Sequence, residues 1–299
     1  MMNYRKLGKS TLTISEIGFG CMSLTKNNAD NNKLLHRAME LGINFFDTAD
    51  LYQQGQNEID VGAAIKDKRK DLIIATKVGN QWRADGSGWD WNPGKEYILS
   101  SIDKSLQRLQ TDYIDLYQLH GGTMEDPIDE TIEAFEILQQ QGKIRYYGIS
   151  SIRPNVIREY IERSNIVSVM MQYSLLDRRP EESCLDLLKN NNIGVLARGV
   201  LAKGLLVNKA PASYLNYSAA EVQQVATAIG ELSGKHRNNS QTAIRFVLQN
   251  SAIIATVVGI RTIEQLEEVT QSTNIAPIEK KEMEILGQVL PINFYDQHR

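Results

Sequence analysis

The sequence predicts an α/β fold, a closed (β/α)8 TIM barrel with an N-terminal β-hairpin and extra helices. Three observations support this. Eight apolar runs of strand length alternate with segments of helical period, and such alternation implies parallel strands joined by right-handed crossovers. The chain of 299 residues has about the length that eight such units need. No linker, low-complexity stretch or short internal repeat divides residues 1–299, so a single barrel domain is expected. An open doubly wound sheet is the runner-up, disfavoured by the number of units and their short spacing.

Taken in order, residues 4–7 and 12–17 flank the turn-like Gly8-Lys9-Ser10 and read as the hairpin. Residues 17–20, Ile-Gly-Phe-Gly, form a first buried strand. The spacing of Leu34, Leu35, Ala38 and Met39, closed by Gly42, predicts a helix over 30–41. A strand over 43–46, a short helix over 58–65 and a strand over 72–76 follow. Residues 78–93 are a long connection holding Trp82, Trp89 and Trp91, and such a loop is uncommon unless functional or mobile. Next come a helix over 95–109, a strand over 113–119, a helix over 128–141 closed by Gly142, and a strand over 144–149. Pro154 opens the following helix, where its missing N–H costs nothing. A strand over 166–171, a helix from Pro180 to Asn190 and a strand over 194–197 lead to a second long connection, 199–217. Ser218 and Glu221 form a capping-box pattern for a helix running to Gly234, and another helix covers 240–249. The eighth strand is 253–258, Thr262 and Gln265 suggest a second capping box for a helix over 264–270, and residues 278–290 read as a terminal helix.

Composition narrows the function. The net charge of −3 argues against a general polyanion binder, so no nucleic-acid partner is expected. Cys21 and Cys184 are too few for a disulfide framework and lack ligand-like clustering, so no metal site is expected. A reducing compartment is the simpler reading. The first ten residues lack the apolar core of a signal peptide, and the longest apolar run, 252–260, is too short to span a bilayer. A cytoplasmic protein without a membrane partner is expected, as a monomer or weak homo-oligomer.

Residues 44–120 carry the chemistry. Asp47 follows the second barrel run, Tyr52 comes soon after it, Lys77 ends the third and His120 ends the fourth. Singly, each has an ordinary explanation: a turn cap, a loop anchor, a snorkelling lysine, a core histidine. Together they sit where barrel enzymes keep their chemistry, at the C-terminal ends of consecutive strands. A tyrosine near pKa 10 gives up its proton reluctantly, and a nearby ammonium lowers that barrier. Asp47 can hold the ammonium charged, and His120 can hydrogen-bond the oxygen being protonated. The set suits proton donation to a carbonyl oxygen, and a hydride donor must then be a cofactor. Gly259-Ile260-Arg261-Thr262, at a helix start, offers free amides and a guanidinium for phosphate. Two other motifs are decoys. Gly18-Phe19-Gly20-Cys21-Met22-Ser23 has serine where a dinucleotide fingerprint needs its last glycine, and Gly8-Lys9-Ser10 lacks the earlier glycine of a phosphate loop.

The chain resembles the aldo-keto reductases almost end to end. The resemblance rests on Asn44-Phe45-Phe46-Asp47-Thr48-Ala49-Asp50-Leu51-Tyr52, on Ala75-Thr76-Lys77, and on Asp115-Leu116-Tyr117-Gln118-Leu119-His120. Further blocks are Gly142-Lys143-Ile144-Arg145-Tyr146-Tyr147-Gly148-Ile149-Ser150 and Gly259-Ile260-Arg261-Thr262-Ile263-Glu264-Gln265-Leu266-Glu267-Glu268. It implies a barrel that binds NADPH, with NADH possible, without a Rossmann domain. It also implies Tyr52 as general acid, Lys77 and Asp47 as its tuning pair, and His120 as orienter of a small carbonyl substrate. Ser150 and Gln172 match nicotinamide-amide positions, with Ser151 beside them. Gly20, Cys21 and Met22 match a loop bordering the nicotinamide. Arg198 stands where many members place an aromatic ring, and Ser151 where many carry asparagine. Gly199, Leu201, Lys203 and Gly204 fall in or beside a loop near the pyrophosphate. Arg261, Gln265 and Glu268 match positions near the 2′-phosphate and adenine, while Gly259 replaces a lysine used by some members and Val269 a frequent asparagine.

The expected activity is NADPH-dependent reduction of an aldehyde or ketone to an alcohol. The alternative within the same resemblance is a cofactor-sensing regulatory subunit with little turnover. A phosphate-binding isomerase or aldolase would leave Tyr52 and His120 without roles. The loop over 82–91, with Trp82 and Trp89, is expected to line the substrate pocket and favour aromatic or apolar aldehydes, against a plainer reading in which the tryptophans only pack the rim.

Overall fold

The computed structural model describes residues 1–299 apart from Lys26, Lys235 and the side chain of Asn28. The chain opens with the antiparallel hairpin β1 (Tyr4–Lys6) and β2 (Thr13–Ser15). Then follow β3 (Ile17–Gly20), α1 (Asn28–Glu40), β4 (Phe45–Asp47), α2 (Gln56–Ile65) and β5 (Ile73–Val78). Next come β6 (Asn80–Trp82), β7 (Trp89–Trp91), α3 (Lys95–Leu109), β8 (Ile114–Leu119), α4 (Ile128–Gln140) and β9 (Ile144–Ser150). The remainder is α5 (Pro154–Arg163), β10 (Ser168–Gln172), α6 (Cys184–Asn190), β11 (Gly194–Arg198), α7 (Ala219–Leu232), α8 (Asn239–Leu248), β12 (Ile253–Gly259), α9 (Ile263–Gln271) and α10 (Lys280–Gln288).

β3, β4, β5, β8, β9, β10, β11 and β12 pair in that order, all parallel, and β12 returns to β3 through Thr256 opposite Ile17. The barrel is therefore closed, and the open-sheet alternative falls. Period-2 alternation divides the core. Phe45, Ile73, Ala75, Leu116, Met170, Leu196, Ala255 and Val257 cluster inside the barrel, while a larger apolar layer packs the strands' outer faces against the helices. Leu7, Leu12 and Ile14 of the hairpin belong to the inner cluster and plug the end where the strands begin. Gly8, at φ +51°, makes that plug possible. A Cβ there would lie 2.4 Å from the Val167 carbonyl oxygen and 2.8 Å from the Gly194 amide nitrogen.

With the lower end sealed, the polar inward positions collect at the other end. Asp47, Lys77, Gln118, Gln172 and Arg198 each stand at or near the C-terminal end of a strand, in register with the inner apolar residues below them.

Three local expectations change. The connection 78–93 is not a loop: β6 and β7 form a hairpin pairing Asn80 with Trp91 and Trp82 with Trp89. The helix expected from Pro180 to Asn190 is broken into a 3-10 turn, Arg179–Glu182, and α6, with Ser183 at φ −158° between them. The Thr262 pattern is half a capping box. Thr262 accepts from the Gln265 amide, but the Gln265 side chain takes the Arg261 amide instead. The Ser218–Glu221 box is complete. Among the described residues no helix is long and apolar enough to cross a membrane, and no cluster of His, Cys, Asp and Glu could hold a metal ion.

Candidate active site

β4 and β5 pair with Asp47 opposite Ala75, and β5 pairs with β8 so that Lys77 faces Gln118. These registers bring the inward side chains of three adjacent strands together. The Lys77 ammonium is buried and spends its three N–H bonds on three acceptors: Asp47 Oδ2 at 2.6 Å, the Thr48 carbonyl at 2.7 Å and the Tyr52 hydroxyl at 3.4 Å. Gln118 donates to the other Asp47 oxygen at 3.2 Å. Gln118 was not among the expected site residues. Its signal was its place two residues before His120, on the same face of a strand.

Tyr52 leaves β4 by a short turn in which its amide donates to the Ala49 carbonyl at 3.1 Å. The turn continues through Gln53 and Gln54, at φ 50° and 56°, a left-handed conformation that non-glycine residues rarely adopt. The Gln53 side chain pins it, its Nε2 donating to the Leu24 carbonyl at 2.9 Å. His120 follows β8, where its amide donates to the Val78 carbonyl at 2.7 Å. Its ring meets that of Tyr52 edge-on, 5.8 Å between centroids at 80°. The four residues expected to act together are thus contiguous.

Their electrostatics refine the sequence expectation. Burial pushes the Tyr52 phenol above its ordinary pKa, and the Lys77 ammonium only partly offsets it. Lys77 acts in the expected direction, lowering the phenol's pKa by its charge and its hydrogen bond, but desolvation is the larger effect and the net shift is upward. Burial disfavours the charge on Lys77, yet Asp47 and Tyr52 hold its pKa above the ordinary value. Burial raises the Asp47 carboxyl, opposed by Lys77, Gln118 and Arg198. His120 is pushed down to about 3 by burial, then by Lys77 and Arg198, so it is neutral at physiological pH. Its Nδ1 has no hydrogen-bond partner among the described residues. A neutral imidazole can orient an oxygen but has no surplus proton to give. Of the two groups, only the Tyr52 phenol keeps an acidic proton within reach of the Lys77 ammonium.

The expected cofactor positions ring the same end of the barrel. Gly20 ends β3, and a Cβ on it would stand 3.1 Å from the Val258 carbonyl. Cys21 is buried, whereas Met22 is 71% exposed. Ser23, which the sequence did not single out, clasps this loop to β12: its hydroxyl donates to the Ile260 carbonyl and accepts from the Ile260 amide. Ser150 closes β9, and the Ser151 hydroxyl is occupied by the Arg153 amide at 3.2 Å. Gln172 is fully engaged. Its amide nitrogen donates to Asp177 and Tyr214, and its oxygen accepts from Arg198. Gly199, Leu201, Lys203 and Gly204 form a tight turn after β11, with the Gly204 amide donating to the Leu201 carbonyl. Gly259 ends β12. At the start of α9, Arg261 is exposed and its guanidinium has no partner among the described residues. Gln265 is exposed and Glu268 half-buried on that helix. An unpaired arginine at a helix start beside side-chain-free Gly20 and Gly259 fits a phosphate-bearing nicotinamide cofactor.

The tryptophan hairpin borders this rim. The Trp82 indole donates to the Leu51 carbonyl at 3.2 Å, and that of Trp91 to Asp126 at 2.9 Å. Trp89 is 47% exposed. A cavity of about 610 Å³ lies elsewhere, lined by Tyr4, His36, Glu40, Ala64 and Lys68 among others, and contains none of the candidate site residues.

Comparison with known proteins agrees with this geometry. The aldo/keto reductase family model matches residues 16–291. The chain belongs to the aldo/keto reductase family. It is an oxidoreductase, and the family reaction is nicotinamide-dependent carbonyl reduction. The chain is similar to the uncharacterized oxidoreductase YqkF of Bacillus subtilis, 50% identical with both chains fully covered. The solved structure of aldo-keto reductase AKR11C1 from Bacillus halodurans, in its holo form, superposes with a TM-score of 0.95 at 47% identity, covering 100% of each chain. More distant relatives differ in the cofactor their names carry. The aldo-keto reductase yakc [NADP(+)] of Schizosaccharomyces pombe is 30% identical, covering 88% of this chain and 84% of its own. The NADH-specific methylglyoxal reductase of Escherichia coli is 29% identical, covering 90% and 93%.

Proposed function

We propose that this aldo-keto reductase reduces aldehydes or ketones to alcohols with NADPH, and that Tyr52 donates the proton. The observation that carries this reading is the Lys77 ammonium, bound at once to Asp47, to the Thr48 carbonyl and to the Tyr52 hydroxyl. A carbonyl oxygen seated between the Tyr52 hydroxyl and the His120 ring would take the phenolic proton as negative charge develops on it. The tyrosinate left behind is stabilised by the ammonium, whose own charge Asp47 maintains. Neutral His120 contributes a hydrogen bond to the same oxygen. The nicotinamide cofactor supplies the hydride when bound. Gly20, Cys21, Met22, Ser150 and Ser151 would border its reactive end, and Gln172 would join them only by giving up present partners. Gly199, Leu201, Lys203 and Gly204 would lie along the pyrophosphate, and Arg261, Gln265 and Glu268 at the adenosine end.

The unpaired Arg261 guanidinium favours NADPH over NADH, because it can meet a 2′-phosphate with two parallel hydrogen bonds. The NADH-specific name of one relative makes cofactor choice the first point to test. Fluorescence titration with NADPH and NADH, followed by a carbonyl panel with the tighter cofactor, tests the proposal. Tighter NADPH binding and multiple turnovers with an aldehyde support it. Tight binding without turnover would favour the regulatory-subunit reading.

A further inference from the structure

We propose that Asp50 is a positioning residue for Tyr52: its carboxyl, held uncharged between the barrel wall and the helices α2 and α3, fixes the path of the chain from Asp47 to Tyr52. The proposal rests on the reading of Tyr52 as proton donor. Among the described residues the Asp50 carboxyl forms no salt bridge. Asp50 is only 8% exposed, and its Oδ1 has no hydrogen-bond partner among the described residues. The charges facing it are already committed. From α3, Arg108 donates to Glu58 Oε2 at 2.6 Å through Nε and to the Ser105 hydroxyl at 3.2 Å through Nη2. From β5, Lys77 has all three N–H bonds placed on Asp47, Thr48 and Tyr52. From α2, fully buried Glu58 faces the same space, its Oε1 accepting from the Thr76 hydroxyl at 2.6 Å. Tyr97 of α3 and Tyr117 of β8 complete the surroundings, and the Tyr117 hydroxyl is also buried without a partner.

An ionised Asp50 would be a second buried anion beside Glu58, and Arg108 and Lys77, which favour its charge, are hydrogen-bonded to other groups, a costly arrangement. The same geometry explains why its carboxyl is pushed up to about 8, by burial first and by Glu58 second, against Arg108, the Leu51 amide and Lys77. Gly55 helps to build the enclosure. A Cβ there would stand 2.8 Å from the Arg108 Cδ, so only glycine lets that side chain cross to Glu58.

The segment from Asp47 to Tyr52 is tied firmly at Thr48, through Lys77 and Asn57, and more loosely from Asp50 onward. The Thr48 amide donates to the Ala75 carbonyl at 2.9 Å, but the Asp50 amide reaches the Lys77 carbonyl only at 3.4 Å. The Trp82 indole holds the Leu51 carbonyl. Two residues on, the Tyr52 hydroxyl lies at the 3.4 Å limit of contact with Lys77. A charged Asp50 drawn toward water would carry Tyr52 off its ammonium.

The test compares wild type with Asp50→Asn, which keeps the shape without the charge. For wild type, kcat/KM for a carbonyl substrate should fall about threefold or more between about pH 7 and about pH 9.5, with a midpoint near 8 and an unchanged KM for the cofactor. Burial shifts Tyr52 upward, away from that window. The alkaline limb should be absent in Asp50→Asn, and its persistence there overturns the proposal. A second reading needs no substrate. The folded chain holds a proton that the unfolded chain releases, so wild-type stability from this group falls as pH rises from about 4 to about 8 and is level above. The Tm of Asp50→Asn should therefore gain on wild type over that range and then run parallel. Parallel curves throughout would contradict the proposal. If Asp50→Asn does not fold, Asp50→Ser carries the same expectations. The infrared band of a protonated carboxylic acid in wild type, present near pH 7 and lost near pH 9.5, decides the matter without a variant. A Tyr52→Phe enzyme as active as wild type would remove the proton-donor reading while the Tm and infrared results still decide the charge of Asp50.

Discussion

Replacing Lys77 by methionine removes a buried ammonium while nearly preserving volume, and the structure sets the scale of the result. Lys77 is 1% exposed and Asp47 3% exposed, so the pair is shielded from solvent screening. The substitution deletes three hydrogen bonds, leaves the Thr48 carbonyl without its donor and strands the Asp47 carboxylate with Gln118 as its remaining polar partner. Breaking a buried pair from one side costs roughly 3–5 kcal/mol. That is a large part of the ~5–15 kcal/mol by which domains are stable. Asp47 can limit the loss by taking up a proton, so the cost should shrink as pH falls. Asp47→Asn in the Lys77→Met background should recover ~1–3 kcal/mol, because the stranded charge is gone. Denaturant melts at about pH 5 and about pH 8 of wild type, both single variants and the double variant would measure this. A Lys77→Met protein within ~0.5 kcal/mol of wild type at both pH values would refute the coupling on which the account of Tyr52 depends.

Other outcomes follow from the same geometry. Arg261→Ala should raise the Kd for NADPH about tenfold and leave that for NADH unchanged, since one charge-assisted phosphate contact is worth ~1.5–3 kcal/mol; equal effects on both cofactors would remove Arg261 from the 2′-phosphate. Trp82→Phe deletes the donor to the Leu51 carbonyl and should lower kcat with every carbonyl alike, whereas Trp89→Ala, altering a half-exposed ring, should reorder substrate preference. An unchanged substrate order with Trp89→Ala would support a packing role for the hairpin. His120 has a folded pKa near 3, below its unfolded value, so its contribution to stability is complete above about pH 6.5 and is lost as pH falls toward about 3. His120→Gln should therefore flatten the acid limb of a Tm–pH curve, and an unaltered limb would contradict a neutral buried ring.

Much of this molecule was legible in the sequence because its signals are local. Asp47, Lys77 and His120 each sit at the end of an apolar run, and parallel pairing of successive runs left them little choice but to converge. The fold followed from the same alternation. The missed side-chain contacts share a cause in partners distant along the chain. Gln118 looks like one more strand residue until the register with β5 puts it against Asp47. Asn57 joins the Thr48 hydroxyl to the Cys21 carbonyl, and Ser23 joins β3 to β12, through bonds that no spacing rule announces. The β6–β7 hairpin escaped because its strands are three residues long and mostly polar around the tryptophans. Asp115, conspicuous in the motif that ends at His120, points outward and serves structure, accepting from the Ile74 amide, Arg69 and Arg145. Asp50 lies inside the most readable stretch of the chain, yet its surroundings come from α2, α3 and β8.

The central claim, that Tyr52 is the proton donor, is tested most directly by aldehyde-dependent NADPH oxidation in wild type and in Tyr52→Phe, with the Kd for NADPH measured for both. Loss of general acid catalysis should lower kcat about 10²–10⁴-fold while the Kd stays within about twofold. A Tyr52→Phe enzyme with the wild-type rate would contradict the account.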